Sequence, residues 1–293
     1  MKKIVILGCE NSHADAFLNN IKTKPEEFSD IEVIGVYSHE RETAEKLNEK
    51  FGVPVMDDYA DAVGKVDGVI ITARHGDRHY TYAKPYLDSG VPMFVDKPVT
   101  ISEEEAVEFM RALKAKNTPV CGGSSLRQAF QIRELKIANN EQVGGRTVGG
   151  SVRAPLSSVN DHGGFFFYSQ HLVEMVLEPF GRYPKSVQVS IDDKKNRTVL
   201  FNYGDYTVTG LYTEGGNEYF AARYALNGSQ GGYIQAIALN NWYYAEFKEF
   251  VEILRGKAQP MSYSDFIAPV FVLNAIDRAS ASGKVEAIRY EEV

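Results

Sequence analysis

Apolar positions run in short unbroken stretches over about the first 120 residues and alternate with polar ones afterwards, and this change divides the chain. Lys3 to Leu7 is a continuous, mostly β-branched run ending at Gly8, which predicts a strand buried on both faces. Asn11-Ser12 offers an N-cap for a helix to about Thr23. Glu32–Tyr37 is a second strand, and Arg41–Phe51 a second helix closed by Gly52. Val53–Val55 then reads as a brief third strand, Asp57–Val63 as a short helix and Gly68–Ala73 as a fourth strand. A helix from Asp77 to Ser89 ends at Gly90, the strand Pro92–Val95 follows, and Ser102 introduces a helix from Glu103 to Lys116. Thr118–Gly122 makes the sixth strand. Strands alternating with helices predict a parallel sheet with right-handed crossovers, in the order 3-2-1-4-5-6.

After Ser124 the pattern changes. Leu126–Ala138 predicts an amphipathic helix, and Phe165–Leu177 a second one introduced by His162-Gly163-Gly164. Arg146–Arg153, Ser186–Asp192, Arg197–Tyr203, Tyr206–Tyr212, Tyr219–Leu226 and Tyr233–Ile237 read as strands separated by turn residues, which predicts an antiparallel meander with one solvated or subunit-paired face. Helices Trp242–Arg255 and Ser264–Ser282 end the chain. The expected fold is therefore α/β followed by α+β. Residues 1–122 form a dinucleotide-binding domain, and 123–293 a substrate-binding and oligomerisation domain with an open-faced, mostly antiparallel sheet. The C-terminal helices are candidates to pack back on the first domain.

Composition narrows the class. The chain has 293 residues, 44% hydrophobic and 24% charged, with a formal net charge of −7, and these are the values of a globular protein that does not hold nucleic acid or an anionic membrane. Two cysteines, Cys9 and Cys121, are too few for a disulfide framework. The apolar run in MKKIVILG is too short for a signal peptide, and no stretch is long enough to span a membrane, so the cytoplasm is the expected location. The six histidines are scattered, and no metal site is expected.

Candidate chemistry gathers at the predicted strand ends. A dinucleotide fingerprint needs glycines at 8, 10 and 13, but the chain has Gly8, Glu10 and His13. The helix N-terminus still offers N–H groups to a phosphate, and Asn11 and Ser12 add side-chain donors. At the end of the second strand, Ser38 stands where a ribose-binding carboxylate is usual, flanked by His39 and Arg41. Those donors suit a 2′-phosphate and put NADP(H) ahead of NAD(H). Thr72, Ala73 and Arg74 end the fourth strand, with His79 beyond them, and Asp96-Lys97-Pro98 ends the fifth, where open α/β sheets bind ligands. In the second half, Tyr168, His171 and Glu174 recur at a spacing of three along one helix stripe. Histidine is the usual proton carrier near neutral pH.

Several of these residues carry a resemblance. Asp67-Gly68-Val69-Ile70-Ile71 with His79, Gly90-Val91-Pro92 leading to Val95-Asp96-Lys97-Pro98, Arg127, His171 with Glu174, and Ala245-Glu246-Phe247, Gly256-Lys257, Ser262, Asp265 and Ser282-Gly283-Lys284-Val285 match in order and spacing. The chain resembles the Gfo/Idh/MocA family of sugar and inositol dehydrogenases over its whole length. The resemblance implies a Rossmann domain, a substrate domain with an open-faced sheet, a homodimer or homotetramer formed through that sheet, and a cis Lys97–Pro98 bond. It also implies catalysis by Lys97 and His171 with Tyr168 assisting, because the family's frequent aspartate four residues before the histidine is Phe167 here. Asp96 and Lys97 join Gly8, Glu10, Asn11, Ser12, Ser38, His39, Arg41, Thr72, Ala73, Arg74 and His79 at the cofactor, while Arg127, Asn160 and His162 would meet a sugar or polyol. The leading expectation is an NAD(P)-dependent oxidoreductase acting on a secondary alcohol or ketone. A non-catalytic dinucleotide- or sugar-binding regulatory protein is the second.

Overall fold

The N-terminal apolar run forms β1 (Lys2–Leu7), an interior strand of a parallel sheet in a computed structural model that describes residues 1–234 and 239–293. The chain divides into two compact units, one of residues 1–123, 243–266 and 293, the other of 124–242 and 267–292.

In the first unit, β2 (Ile31–Tyr37), β3 (Gly68–Ile71), β4 (Met93–Asp96) and β5 (Val120–Gly123) complete a five-stranded sheet ordered β2-β1-β3-β4-β5, parallel throughout. The expected six strands become five. Val53–Val55 makes one bridge, Val36 to Val55, because Pro54 has no N–H to continue a ladder and only its carbonyl accepts, from Val36 N–H at 2.9 Å. The short helix expected over Asp57–Val63 is a set of turns. There the Asp58 carboxylate accepts from Ala60 N–H and the Asp61 carboxylate from Asp58 N–H, so side chains replace the helical bonds.

Helices α1 (Ser12–Thr23), α2 (Pro25–Phe28), α3 (Arg41–Phe51), α4 (Asp77–Ala83) and α5 (Glu103–Ala115) connect these strands. α4 stops early and continues as a 3₁₀ turn over Lys84–Ser89, since Pro85 lacks the N–H the next helical bond needs. The unit's core holds Ile4, Ile6, Phe17, Phe28, Ile70 and Phe94 together with Phe247, Phe250, Val251, Ile253 and Leu254 of α8 (Leu239–Leu254). Phe247 stacks on Phe17 with ring centroids 5.2 Å apart and meets Phe28 edge-on at 4.9 Å.

The second unit carries a seven-stranded sheet built from β6 (Thr147–Leu156), β7 (Ser186–Ile191), β8 (Arg197–Asn202), β9 (Thr207–Glu214), β10 (Tyr219–Ala225), β11 (Gly228–Ile234) and β12 (Glu286–Ala287). Its order is β11-β10-β6-β9-β8-β7-β12. The expected meander holds for β7-β8-β9 and for β10-β11, but β6 lies between β10 and β9 and runs parallel to β9. The long connection through α7 (Phe165–Phe180), β7 and β8 makes that parallel pair possible. β11 starts at Gly228, and residues 235–237 of the strand expected from Tyr233 lie outside the described residues.

α7 covers one face of this sheet. Tyr212 OH donates to Ser169 O at 2.7 Å, and a Cβ on Gly150 would stand 2.3 Å from the Phe180 ring. The helix expected at Leu126–Ala138 is a 3₁₀ turn (Ser125–Gln128) and then α6 (Phe130–Asn140), broken at Ala129, whose ψ of 135° is extended. α9 (Tyr263–Ser282) follows α8. Among the described residues no helix is long and apolar enough to cross a membrane, and no three His, Cys, Asp or Glu gather as metal ligands would.

Candidate active site

Gly8 ends β1 with φ +77°, and a Cβ there would lie 2.4 Å from the Ala73 backbone. Only glycine allows β1 and the end of β3 to come this close. Thr72 Oγ1 donates to Gly8 O at 2.9 Å and locks the approach. Asn11 caps α1 by accepting from His13 N–H at 2.9 Å, and its amide donates to Thr72 O at 2.6 Å and Asp96 Oδ2 at 3.1 Å. Ser12 Oγ lies 2.9 Å from Tyr243 OH. The two residues expected to face a phosphate thus tie the turn to β3, β4 and α8.

Glu10 holds the place of the second fingerprint glycine, and its carboxylate is fully buried. Oε2 accepts from Ser38 Oγ at 2.9 Å and Oε1 from Arg74 N–H at 3.0 Å, while the Arg74 guanidinium donates to Glu10 O. His39 Nδ1 lies 3.6 Å from the same carboxylate and its Nε2 lies 3.7 Å from Glu40. Arg41 is largely exposed and pairs with Glu45 and Asp57. Each of the three donors expected to hold a 2′-phosphate already faces a carboxylate. This removes the ground for preferring NADP(H).

Asp96 and Lys97 are both buried at the end of β4, and the Lys97–Pro98 bond is cis. Asp96 Oδ1 accepts from Lys97 N–H at 2.7 Å. Burial presses the Lys97 pKa down, the carboxylates of Asp96 and Glu246 pull it up, and Arg74 presses it down again, with a downward net direction. His79 is completely buried, with its ring nitrogens 2.7 Å from Pro98 O and 2.8 Å from Ala73 O, so it staples the segments after β3 and β4 together. Burial pushes its pKa down.

Two members of this group carried no role in the sequence reading. His13, at the third glycine's position, lies 3.3 Å from Asp96 and 3.5 Å from Glu246, all three buried. Burial opposes charge on its ring, but the two carboxylates outweigh it and the pKa rises. Glu246 stands on α8, one position before the core residue Phe247, and nothing local in the sequence marks it as part of a buried charge cluster.

In the second unit, His171 is buried on α7, and its Nδ1 lies 2.7 Å from Ser124 Oγ; that oxygen accepts from Leu126 N–H at 3.2 Å. Ser124 was missed as an orienting partner; its position just after β5 was the available signal. Tyr168 meets the His171 ring edge-on at 5.1 Å. It lines a cavity of about 400 Å³ with Pro155, Ser157, Gly215, Asn217 and Tyr219, within the range of small-molecule sites.

The expected substrate residues are differently engaged. The Asn160 amide donates to Ser157 O and Gly164 O and accepts from His162 N–H and Gly164 N–H, so all its bonds hold its own loop. The His162 ring packs 5.2 Å from Phe167. The buried Arg127 lowers the Glu178 pKa, with Arg182 the stronger cation there and burial opposing both. Glu174 pairs with Arg182 at 2.7 Å.

Residues 2–123 match the family model described as "Oxidoreductase family, NAD-binding Rossmann fold". No curated protein matches the chain by sequence. Among solved structures it is similar to the Lactobacillus casei myo-inositol dehydrogenase in complex with NAD(H) and myo-inositol, at 15% identity and a TM-score of 0.85, with 100% of this chain and 98% of that one covered. The Lactobacillus casei scyllo-inositol dehydrogenase with bound NAD(H) and scyllo-inositol gives 16% identity and a TM-score of 0.84, covering 98% and 99%. A myo-inositol dehydrogenase from Corynebacterium glutamicum ATCC 13032 gives 14% and 0.83, covering 99% and 100%. Identities this low speak for the fold. Residues 2–123 thus carry the match to an NAD-binding oxidoreductase family model, and the chain over its length shares its fold with these inositol dehydrogenases.

Proposed function

We propose that the chain is an NAD(H)-dependent oxidoreductase that moves a hydride between the cofactor and a secondary alcohol or ketone of an inositol, sugar or related polyol. The observation that carries this reading is Lys97, a buried lysine with a lowered pKa at the carboxyl end of a Rossmann strand. The turn fits a dinucleotide. Gly8 keeps the tight bend, α1 supplies a helix N-terminus, and the Glu10 side chain is drawn away to Ser38 and Arg74.

When bound, the nicotinamide supplies the hydride acceptor or donor, and binding, orientation and proton transfer fall to the chain. Lys97 holds the substrate oxygen and stabilises the negative charge that grows on it. Its lowered pKa makes its proton easier to give up than that of a free lysine. His171 takes the hydroxyl proton. With Nδ1–H donating to Ser124 Oγ, Nε2 keeps the lone pair that this step needs. Tyr168 and its cavity hold the polyol in the second unit. The protein assembles as a homodimer or homotetramer through the sheet face opposite α7.

The test is a panel of inositols and sugars assayed with NAD⁺. Turnover is expected, and Lys97→Ala should lower kcat by about 10²–10³-fold, as loss of such a charge-stabilising donor does. A variant as active as the parent chain would sink the mechanism.

A further inference from the structure

We infer that Glu10 is the residue that selects NAD(H) over NADP(H), supplying from the β1–α1 turn the carboxylate that such sites usually carry at the end of β2. The inference rests on the dinucleotide site proposed above. In a dinucleotide-binding sheet the acidic residue that reads the ribose 2′-hydroxyl stands at the end of the second strand. In this chain that position is Ser38, a neutral residue. The carboxylate is nevertheless there in space, because Glu10 Oε2 accepts from Ser38 Oγ at 2.9 Å.

The position is built. The Glu10 side chain is fully buried, and Arg74 N–H fixes Oε1 at 3.0 Å. A second bond binds the two segments, from the Arg74 guanidinium to Glu10 O. Around it stand Cys9, Tyr37, His39 and Tyr82. Its negative charge is felt by three of them. The Cys9 thiol is pushed up to about 12 by burial first and by Glu10 next. Burial raises the pKa values of Tyr37 and Tyr82; Glu10 adds to it at Tyr82, and at Tyr37 it adds less than Asp58 and Tyr59 do.

A 2′-phosphate would bring up to two negative charges beside this carboxylate and would need donors to offset them. The nearby donors are committed. Ser38 Oγ donates to Glu10 and accepts from Glu40 N–H, His39 lies between Glu10 and Glu40, and Arg41 pairs with Glu45 and Asp57. A ribose hydroxyl carries no charge, so the buried carboxylate does not repel it. Like charges a few ångströms apart in a partly buried site shift binding by about a hundredfold.

The experiment measures Kd for NAD⁺ and NADP⁺ by calorimetry, without any substrate, on the parent chain, on Glu10→Gln and on Lys46→Ala as control. The parent is expected to bind NAD⁺ at least tenfold more tightly. Glu10→Gln keeps the shape and an acceptor for Arg74 N–H but removes the charge, and should shrink that ratio at least tenfold. Lys46→Ala, at an exposed position of α3, should leave it within about threefold, with thermal unfolding confirming that both variants are folded. Equal affinities in the parent, or an unchanged ratio in folded Glu10→Gln, would overturn the assignment while leaving the dinucleotide site standing. Failure of the parent to bind either dinucleotide would overturn both.

Discussion

His13 shows how much one side chain can change the character of a turn. Glycine at this position normally keeps helix and strand close. Here an imidazole stands between Asp96 and Glu246, and its pKa is raised. A group with a raised folded pKa adds stability that is fully present below its unfolded value of about 6.5 and is lost as pH rises through the folded value. His13→Leu is therefore expected to cost about 3 kcal/mol at pH 6, the scale of breaking a buried ion pair, with the gap to the parent narrowing toward pH 9. Urea unfolding across that range measures it, and parallel stability curves would refute the charge's role. The same residue shows a limit of sequence reading. His13 stood out as a missing glycine, but its carboxylate partners lie on distant strands and helices, and spacing along the chain carries no sign of them.

Elements were more legible than residues, because they follow from short-range rules. The helix caps at Asn11 and Ser102 and the left-handed terminators Gly52 and Gly90 were all readable, since each acts within one turn. Short pieces failed where local side-chain bonds or a proline outcompeted the ladder, as at Val53–Val55 and Asp57–Val63. Alternation in the second half located the strands, and it also marks a face. Leu200, Tyr224 and Tyr233 are exposed on the sheet surface opposite α7, with Ser151 Oγ 2.5 Å from Tyr224 OH on the same side. If this face joins subunits, the double substitution Leu200→Glu and Tyr224→Arg should convert an oligomer to a monomer while leaving the far-UV circular dichroism unchanged. Light scattering decides it, and an unchanged mass would remove this face from the proposal.

At the scale of the whole molecule the informative fact is that residues 243–266 belong to the first unit. Phe247, Phe250, Val251, Ile253 and Leu254 are all at least nine-tenths buried in its core. Each large apolar side chain is worth about 2 kcal/mol of burial, so together they contribute about 10 kcal/mol, comparable to the stability of an ordinary domain. Residues 1–123 expressed alone should therefore lack a cooperative unfolding transition, although they contain every strand of the sheet. A sharp two-state melt of that fragment by calorimetry would disprove the dependence.

The sequence alone determined the alternation of strand and helix, the change to a second sheet, the lysine at a strand end and the histidine on its helix, because period, caps and turn residues act over a few positions. It located Glu10 at the place of a fingerprint glycine, beside the expected cofactor. Only the tertiary structure decided where that carboxylate goes, which donors it occupies and which buried groups surround Lys97. Those outcomes depend on contacts between residues far apart in the chain, in a buried setting where a charge must find a partner, and no local pattern encodes which partner it finds.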